Sequence, residues 1–202
     1  SLIVQLDLDE TRDYLTARKA QGFNTLLVNL IDHKLSDNPP GNAFGDEPFA
    51  SAGEFSQPVD RYFERAHAAL SITEELGFVV LLSPDYLGYG GLDDGWYLDM
   101  VDAGRDALYG YGRYVGERFA DLDNVIWVDG GDFTPPDADL DLLRAVRDGM
   151  VDAGATQLRT GHFSPEDSAF DIADWLDVNA TYTYEPVYAK SLADEEAHAA
   201  AM

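Results

Sequence analysis

Short apolar runs alternate with stretches of helical periodicity along this chain, and that alternation limits its fold more than any other feature. Thr25-Leu26-Leu27-Val28-Asn29-Leu30, Phe78-Val79-Val80-Leu81-Leu82 and Val125-Ile126-Trp127-Val128 are apolar on both faces, the pattern of strands covered on each side in a parallel sheet. Leu158-Arg159-Thr160 is a weaker run, and Trp175 to Asn179 leads into Thr181-Tyr182 as the last expected strand. Asp9 is expected to cap a helix through Tyr14, Leu15 and Ala17 to Gly22, and Pro58 to open a second helix that closes at Gly77. Helical spacing returns from Gly95 to Ala120 and from Leu140 to Ala153. Strands separated by helices predict an α/β fold with helices over a parallel sheet. No linker or low-complexity tract interrupts the chain, so residues 1–202 read as one domain.

An open doubly wound sheet and a (β/α)8 TIM barrel both fit that order, and the polar residues separate them. Each run ends in unusual chemistry: Asn29 to His33, Ser83 to Tyr86, Asp129 to Asp132, Thr160 to His162, and Tyr182 to Glu185. Barrel enzymes build their sites from the carboxyl ends of many strands. A dinucleotide-binding fold would concentrate its signal in one Gly-rich turn, and no such turn follows a strand here. At 202 residues the chain is short for a whole barrel, which takes about 250, so a partial one is expected.

The 38 acidic residues against 13 Lys and Arg give a net charge of −25 and a pI near 4.1. Phosphate binding needs a basic footprint, so nucleic acid is not an expected partner. Because the acids are dispersed among apolar positions, they read as a solvated surface, and adaptation to high salt is the expected reason. Tertiary circular dichroism that survives desalting would contradict that. The chain has no cysteine, which removes disulfides and thiolate chemistry. No run is long and apolar enough to span a membrane, so a soluble protein with no membrane partner is expected, cytoplasmic or secreted. No cofactor is expected, and the sequence leaves the oligomeric state open.

Asp132 is the strongest candidate for chemistry. It lies just beyond an apolar strand and after Gly130-Gly131, whose lack of side chains allows a ligand close to the backbone. A carboxyl group beside aromatic walls can have its pKa raised enough to stay protonated and donate a proton to a leaving oxygen. The same Asp and Gly residues also suit a helix cap or a turn.

Several segments carry a resemblance: Gln21 to Asn24 with Val28 to His33, Leu81 to Tyr89, Tyr111 to Gly116, Ile126 to Asp132, and Asp177 to Asn179 with Tyr182 to Tyr184. In this order they resemble the apiosidase-like glycoside hydrolases over nearly the whole chain. The resemblance implies a (β/α) barrel acting on side-chain sugars of plant or microbial polysaccharides, with a carbohydrate substrate and Asp132 as general acid/base. It also implies a nucleophilic glutamate after the seventh strand. Counted against that family, Thr25, Phe78, Asn124, Leu158 and Asp177 start strands two to six, and Ser1 to Leu6 is the tail of the first strand or the loop after it. The chain is therefore expected to lack strands seven and eight, to have no hydrolase activity alone, and to expose strand edges.

The surrounding polar groups fit sugar binding. Asn29, Asp32, His33, Asp85, Tyr86, Tyr89, His162, Tyr182, Tyr184 and Glu185 are expected to contact substrate, and Trp96 and Tyr97 could stack on a sugar ring. Glu185 is a weaker alternative for the second carboxylate. The segment from Lys34 to Gln57 is long for a βα connection and is expected to form a rim or lid. Two rivals stay open. One is a metal-dependent barrel hydrolase using Asp32, His33, Asp132 and His162; the other is a glycan-binding barrel without turnover.

Overall fold

The computed structural model describes residues 2–198. Four strands, β1 (Thr25–Asn29), β2 (Val79–Ser83), β3 (Val125–Gly130) and β4 (Arg159–His162), form one parallel sheet in the order β1-β2-β3-β4. Parallel neighbours need crossovers, supplied by α2 (Asp60–Glu75), α3 (Tyr97–Phe119) and α4 (Leu140–Asp152). Helix α1 (Leu8–Ala20) precedes β1, while α5 (Ala169–Ile172) and α6 (Val187–His198) follow β4. Strand order follows chain order without reversal, as in a sector of a barrel; a doubly wound sheet would reverse direction at a switch point.

Two expectations from sequence need correction. The cap of α1 is Asp7 rather than Asp9: Asp7 accepts from the Glu10 amide at 2.8 Å, and Glu10 accepts from the Asp7 amide at 2.9 Å. This reciprocal capping box satisfies two end donors, leaving Asp9 in the first turn, where a carboxylate suits the helix dipole. The sixth strand does not form among the described residues. Asp177 and Val178 both donate to the Arg159 carbonyl, while the Asp177 side chain accepts from the Arg159 amide at 2.8 Å. A side chain thus occupies the strand donor that a ladder carbonyl would have taken, and only an isolated antiparallel bridge, Ser168 to Thr181, continues beyond it.

Alternate strand residues face the helices. Val28, Val80, Leu82, Val125 and Trp127 are buried there against Phe63 and Leu70 of α2, Tyr111 and Phe119 of α3, and Met150 of α4. Helices α3 and α4 pack backbone to backbone. A β-carbon on Gly112 would lie 2.1 Å from the Val146 carbonyl oxygen, and one on Gly149 would lie 2.2 Å from that of Tyr109. The 34–57 segment is anchored rather than free: Phe49 and Phe55 are buried, with ring centroids 5.5 and 5.8 Å from that of Trp96.

The opposite face is layered across the strands by the register. Leu27, Leu81, Ile126 and Leu158 form an apolar layer, and Asn29, Ser83, Val128 and Thr160 form the next one toward the carboxyl ends, below Gly130 and His162. Leu27 is 67% exposed and Leu158 51%. In a barrel this is the inward face.

Candidate functional site

The end of β3 places two carboxylates in opposite settings. Asp129 points to the helix side, where Arg159 Nη1 donates to Oδ1 at 2.8 Å and Trp175 Nε1 donates to Oδ2 at 2.7 Å. Both Asp129 and Arg159 are buried. Between Asp129 and Asp132 the chain runs through two glycines that no other residue could replace without movement. Gly130 has φ +91°, and a β-carbon there would meet the His162 carbonyl oxygen at 2.5 Å; one on Gly131 would meet the Leu87 amide nitrogen at 2.6 Å. The sequence reading gave these glycines to ligand approach, but it is the protein's own backbone that comes close. Gly131 N–H donates to the His162 carbonyl at 2.6 Å, Leu87 N–H to that of Gly130 at 3.2 Å, and Gly90 N–H to that of Asp132 at 3.1 Å.

Held by these bonds, Asp132 keeps one oxygen, Oδ1, buried without a hydrogen-bond partner. Around it lie Tyr86, His162 and Tyr182; the His162 ring centroid is 6.4 Å from that of Tyr86 and 5.1 Å from that of Tyr182. Burial lowers the basicity of His162, with the Asp132 carboxylate opposing that shift, so its imidazole is neutral near pH 7. The Tyr86 hydroxyl is shifted upward by burial and then by the Asp132 charge. The Tyr182 hydroxyl is also shifted upward, first by its 2.9 Å hydrogen bond with Tyr184, then by burial and by hydrogen bonding to the Asp132 side chain.

An open cavity of about 630 Å³ adjoins this group, and Asn29, Asp32, Ser83, Tyr86, Gly130 and His162 line its polar end. Asp32 is 4% exposed, accepts from the Leu35 amide at 2.7 Å, and is raised in pKa mainly by burial. Its other end is apolar, with Leu26, Leu27 and Val28. No Lys or Arg is among the residues lining it.

Several expected contacts lie elsewhere. Asp85 is 1% exposed and sits by Asp129 and Arg159 instead of facing the cavity; burial, then the Asp129 charge, push its pKa up to about 8. His33 turns to α3, with Nε2 at 3.0 Å from the Asp99 carboxylate and its ring edge-on to Trp96. Trp96 is buried, and Tyr97 packs on Phe133 and donates to Asp139, so neither presents a stacking face. Tyr89 and Tyr184 are 62% and 77% exposed. Glu185 is exposed, beyond a segment that is not a strand. Among the described residues, no three His, Asp or Glu side chains cluster as metal ligands would, and no helix is long and apolar enough to cross a membrane.

Ser83 and Thr160 were expected only as polar residues at strand ends, without a substrate contact of their own. Both are buried on the cavity side of the sheet, and neither hydroxyl has a hydrogen-bond partner. Their register positions opposite Asn29 and Val128 were the available signal, hidden because Ser before Pro reads as a turn.

A parallel sheet wound in sequence, with polar groups gathered at its carboxyl edge, matches a sector of a (β/α) barrel. Solved structures agree on the fold. A glycoside hydrolase is 22% identical with a TM-score of 0.69, over 88% of this chain and 39% of its own. A family 5 glycoside hydrolase from Bacteroides vulgatus ATCC 8482 is 20% identical with a TM-score of 0.70, over 89% and 38%. The family 5 subfamily 18 enzyme from Streptomyces cattleya, solved with GlcNAc, is 17% identical with a TM-score of 0.56, over 78% and 40%. The chain thus spans about two fifths of the length of these structures. Curated protein sequences gave no significant match. The model of the apiosidase-like catalytic domain matches residues 1–202, and the chain belongs to that family.

Proposed function

We propose that this domain is part of a retaining glycoside hydrolase acting on side-chain sugars of plant or microbial polysaccharides, with Asp132 as its general acid/base. The supporting observation is the unpartnered, buried Oδ1 of Asp132 at the carboxyl end of β3, among Tyr86, His162 and Tyr182. A protonated Asp132 would give its proton to the glycosidic oxygen as that bond breaks. The resulting carboxylate would then take a proton from the water that releases the sugar. Neutral His162 can hydrogen-bond a sugar hydroxyl. The absence of Lys and Arg from the cavity lining fits an uncharged sugar better than an acidic one.

The second carboxylate is proposed to be a glutamate of the full-length barrel outside this chain, about 5 to 5.5 Å from Asp132 as retention requires. Alone, the 202-residue chain is expected not to turn over glycosides. In the full-length protein, Asp132→Ala should lower kcat on apiose- and arabinose-containing pectic oligosaccharides by about 10² to 10⁴-fold. Azide should then restore turnover of an aryl glycoside and give a glycosyl azide of retained configuration. Undiminished turnover without Asp132 would sink the assignment.

Exposed Tyr89 and Tyr184 support a second reading, a glycan-binding barrel. Saturable binding of these oligosaccharides by the full-length protein, with no turnover of any glycoside, would select it.

A further inference from the structure

The layer Asn29, Ser83, Val128 and Thr160 runs across all four strands just below Asp132 and His162. Ser83 is 3% exposed and Thr160 is 6% exposed, and both hydroxyl oxygens are buried without partners. A buried hydroxyl left unpaired is destabilising, and a fold keeps such groups where something else satisfies them. The direction they face is set by the strands. Ser83 lines the cavity itself, and Thr160 lies two residues before His162, which also lines it. Alternate residues of a strand share a face.

We infer that Ser83 and Thr160 are specificity-determining residues whose hydroxyls bind two hydroxyl groups of one sugar ring lying across Val128. This rests on the glycosidase reading for its site and adds the groups that select the sugar. Strands in a sheet are about 4.8 Å apart, so residues on β2 and β4 stand roughly 10 Å apart across β3. That gap accommodates a ring with a hydroxyl directed to each side. Val128 between them offers only methyl groups, which suit the C–H face of the ring. Both hydroxyls donate and accept, so they pair with an alcohol of the substrate in either sense. A substrate lacking one of those alcohols would leave a buried oxygen unpaired, the arrangement that gives a site its selectivity.

Dissociation constants for methyl apioside, methyl arabinoside and the monodeoxy analogues of each would test this, measured calorimetrically with the full-length protein carrying Asp132→Asn. Ser83→Ala should weaken binding of the parent glycoside about 2- to 12-fold, the range of one neutral hydrogen bond, and leave binding of one deoxy analogue unchanged. Thr160→Val should do the same for a different analogue, and Thr160→Ser should restore the parent affinity. Parent affinity unchanged in both variants, or equal losses for every analogue, would overturn the inference. So would the absence of measurable glycoside binding by the protein with Ser83 and Thr160 intact. Turnover that survives Asp132→Asn would remove the acid/base assignment while leaving the pattern of dissociation constants to judge Ser83 and Thr160.

Discussion

Asp129 and Asp132 stand three positions apart at the end of one strand, and the protein treats them in opposite ways. Asp129 faces the helices, with both oxygens paired to Arg159 and Trp175. Asp132 faces the barrel mouth, with one oxygen buried and unpaired. The first arrangement locks β3, β4 and the 175–178 segment together; the second leaves an acid with unspent hydrogen-bonding capacity. A carboxylate at a strand end is thus paired or left with an unpaired oxygen according to which sheet face it meets.

Removing the locked acid should have the largest effect on stability. Asp129→Ala leaves Arg159 buried and unpaired, and urea unfolding should show a loss of about 3 to 5 kcal/mol. A variant as stable as the parent would mean that Asp129 does not anchor the site. Asp85, next to that pair, should make stability fall with pH. Its carboxyl holds a proton in the folded state up to about pH 8, against an ordinary value of 3.8. Between these values the folded state binds one more proton than the unfolded chain, so stability decreases as pH rises from about 4 to about 8. The loss is on the order of a few kcal/mol, and Asp85→Asn should flatten this part of the unfolding-midpoint profile.

Gly131→Ala forces a β-carbon against the Leu87 amide. A loss of about 1 to 3 kcal/mol is expected in urea unfolding. Asp132→Asn should change stability least, within about 0.5 kcal/mol of the parent or on the stabilising side, because its Oδ1 gives up no partner. A loss comparable with that of Asp129→Ala would erase the contrast between the two acids.

Apolar runs were a sound guide to the strands because a parallel sheet buries both faces. The runs at Thr25, Phe78 and Val125 became β1, β2 and β3 within a residue or two. The segment at Asp177 failed because its side chain, invisible to a periodicity argument, took the place of a ladder carbonyl. The grouping of Asp132 with Tyr86 and His162 was legible from their places after successive strands. The orientation of Asp85 and His33 was not. Each lies past a strand end, where the alternation of faces stops, and each turned toward buried partners: Asp129 and Arg159 for one, Asp99 and Trp96 for the other. Ser83 and Thr160 remained hidden because only the cross-strand register brings them into one layer with Asn29.

The glycine seam between α3 and α4 has a consequence for how such a protein can diverge. With Gly112 and Gly149 set against opposing carbonyl oxygens, even one added methyl group would prise the helices apart, and α4 begins only eight residues after Asp132. The rim, where Tyr89 and Tyr184 stand in solvent, has no such restraint. Substitutions can therefore accumulate at the rim, while the seam stays fixed.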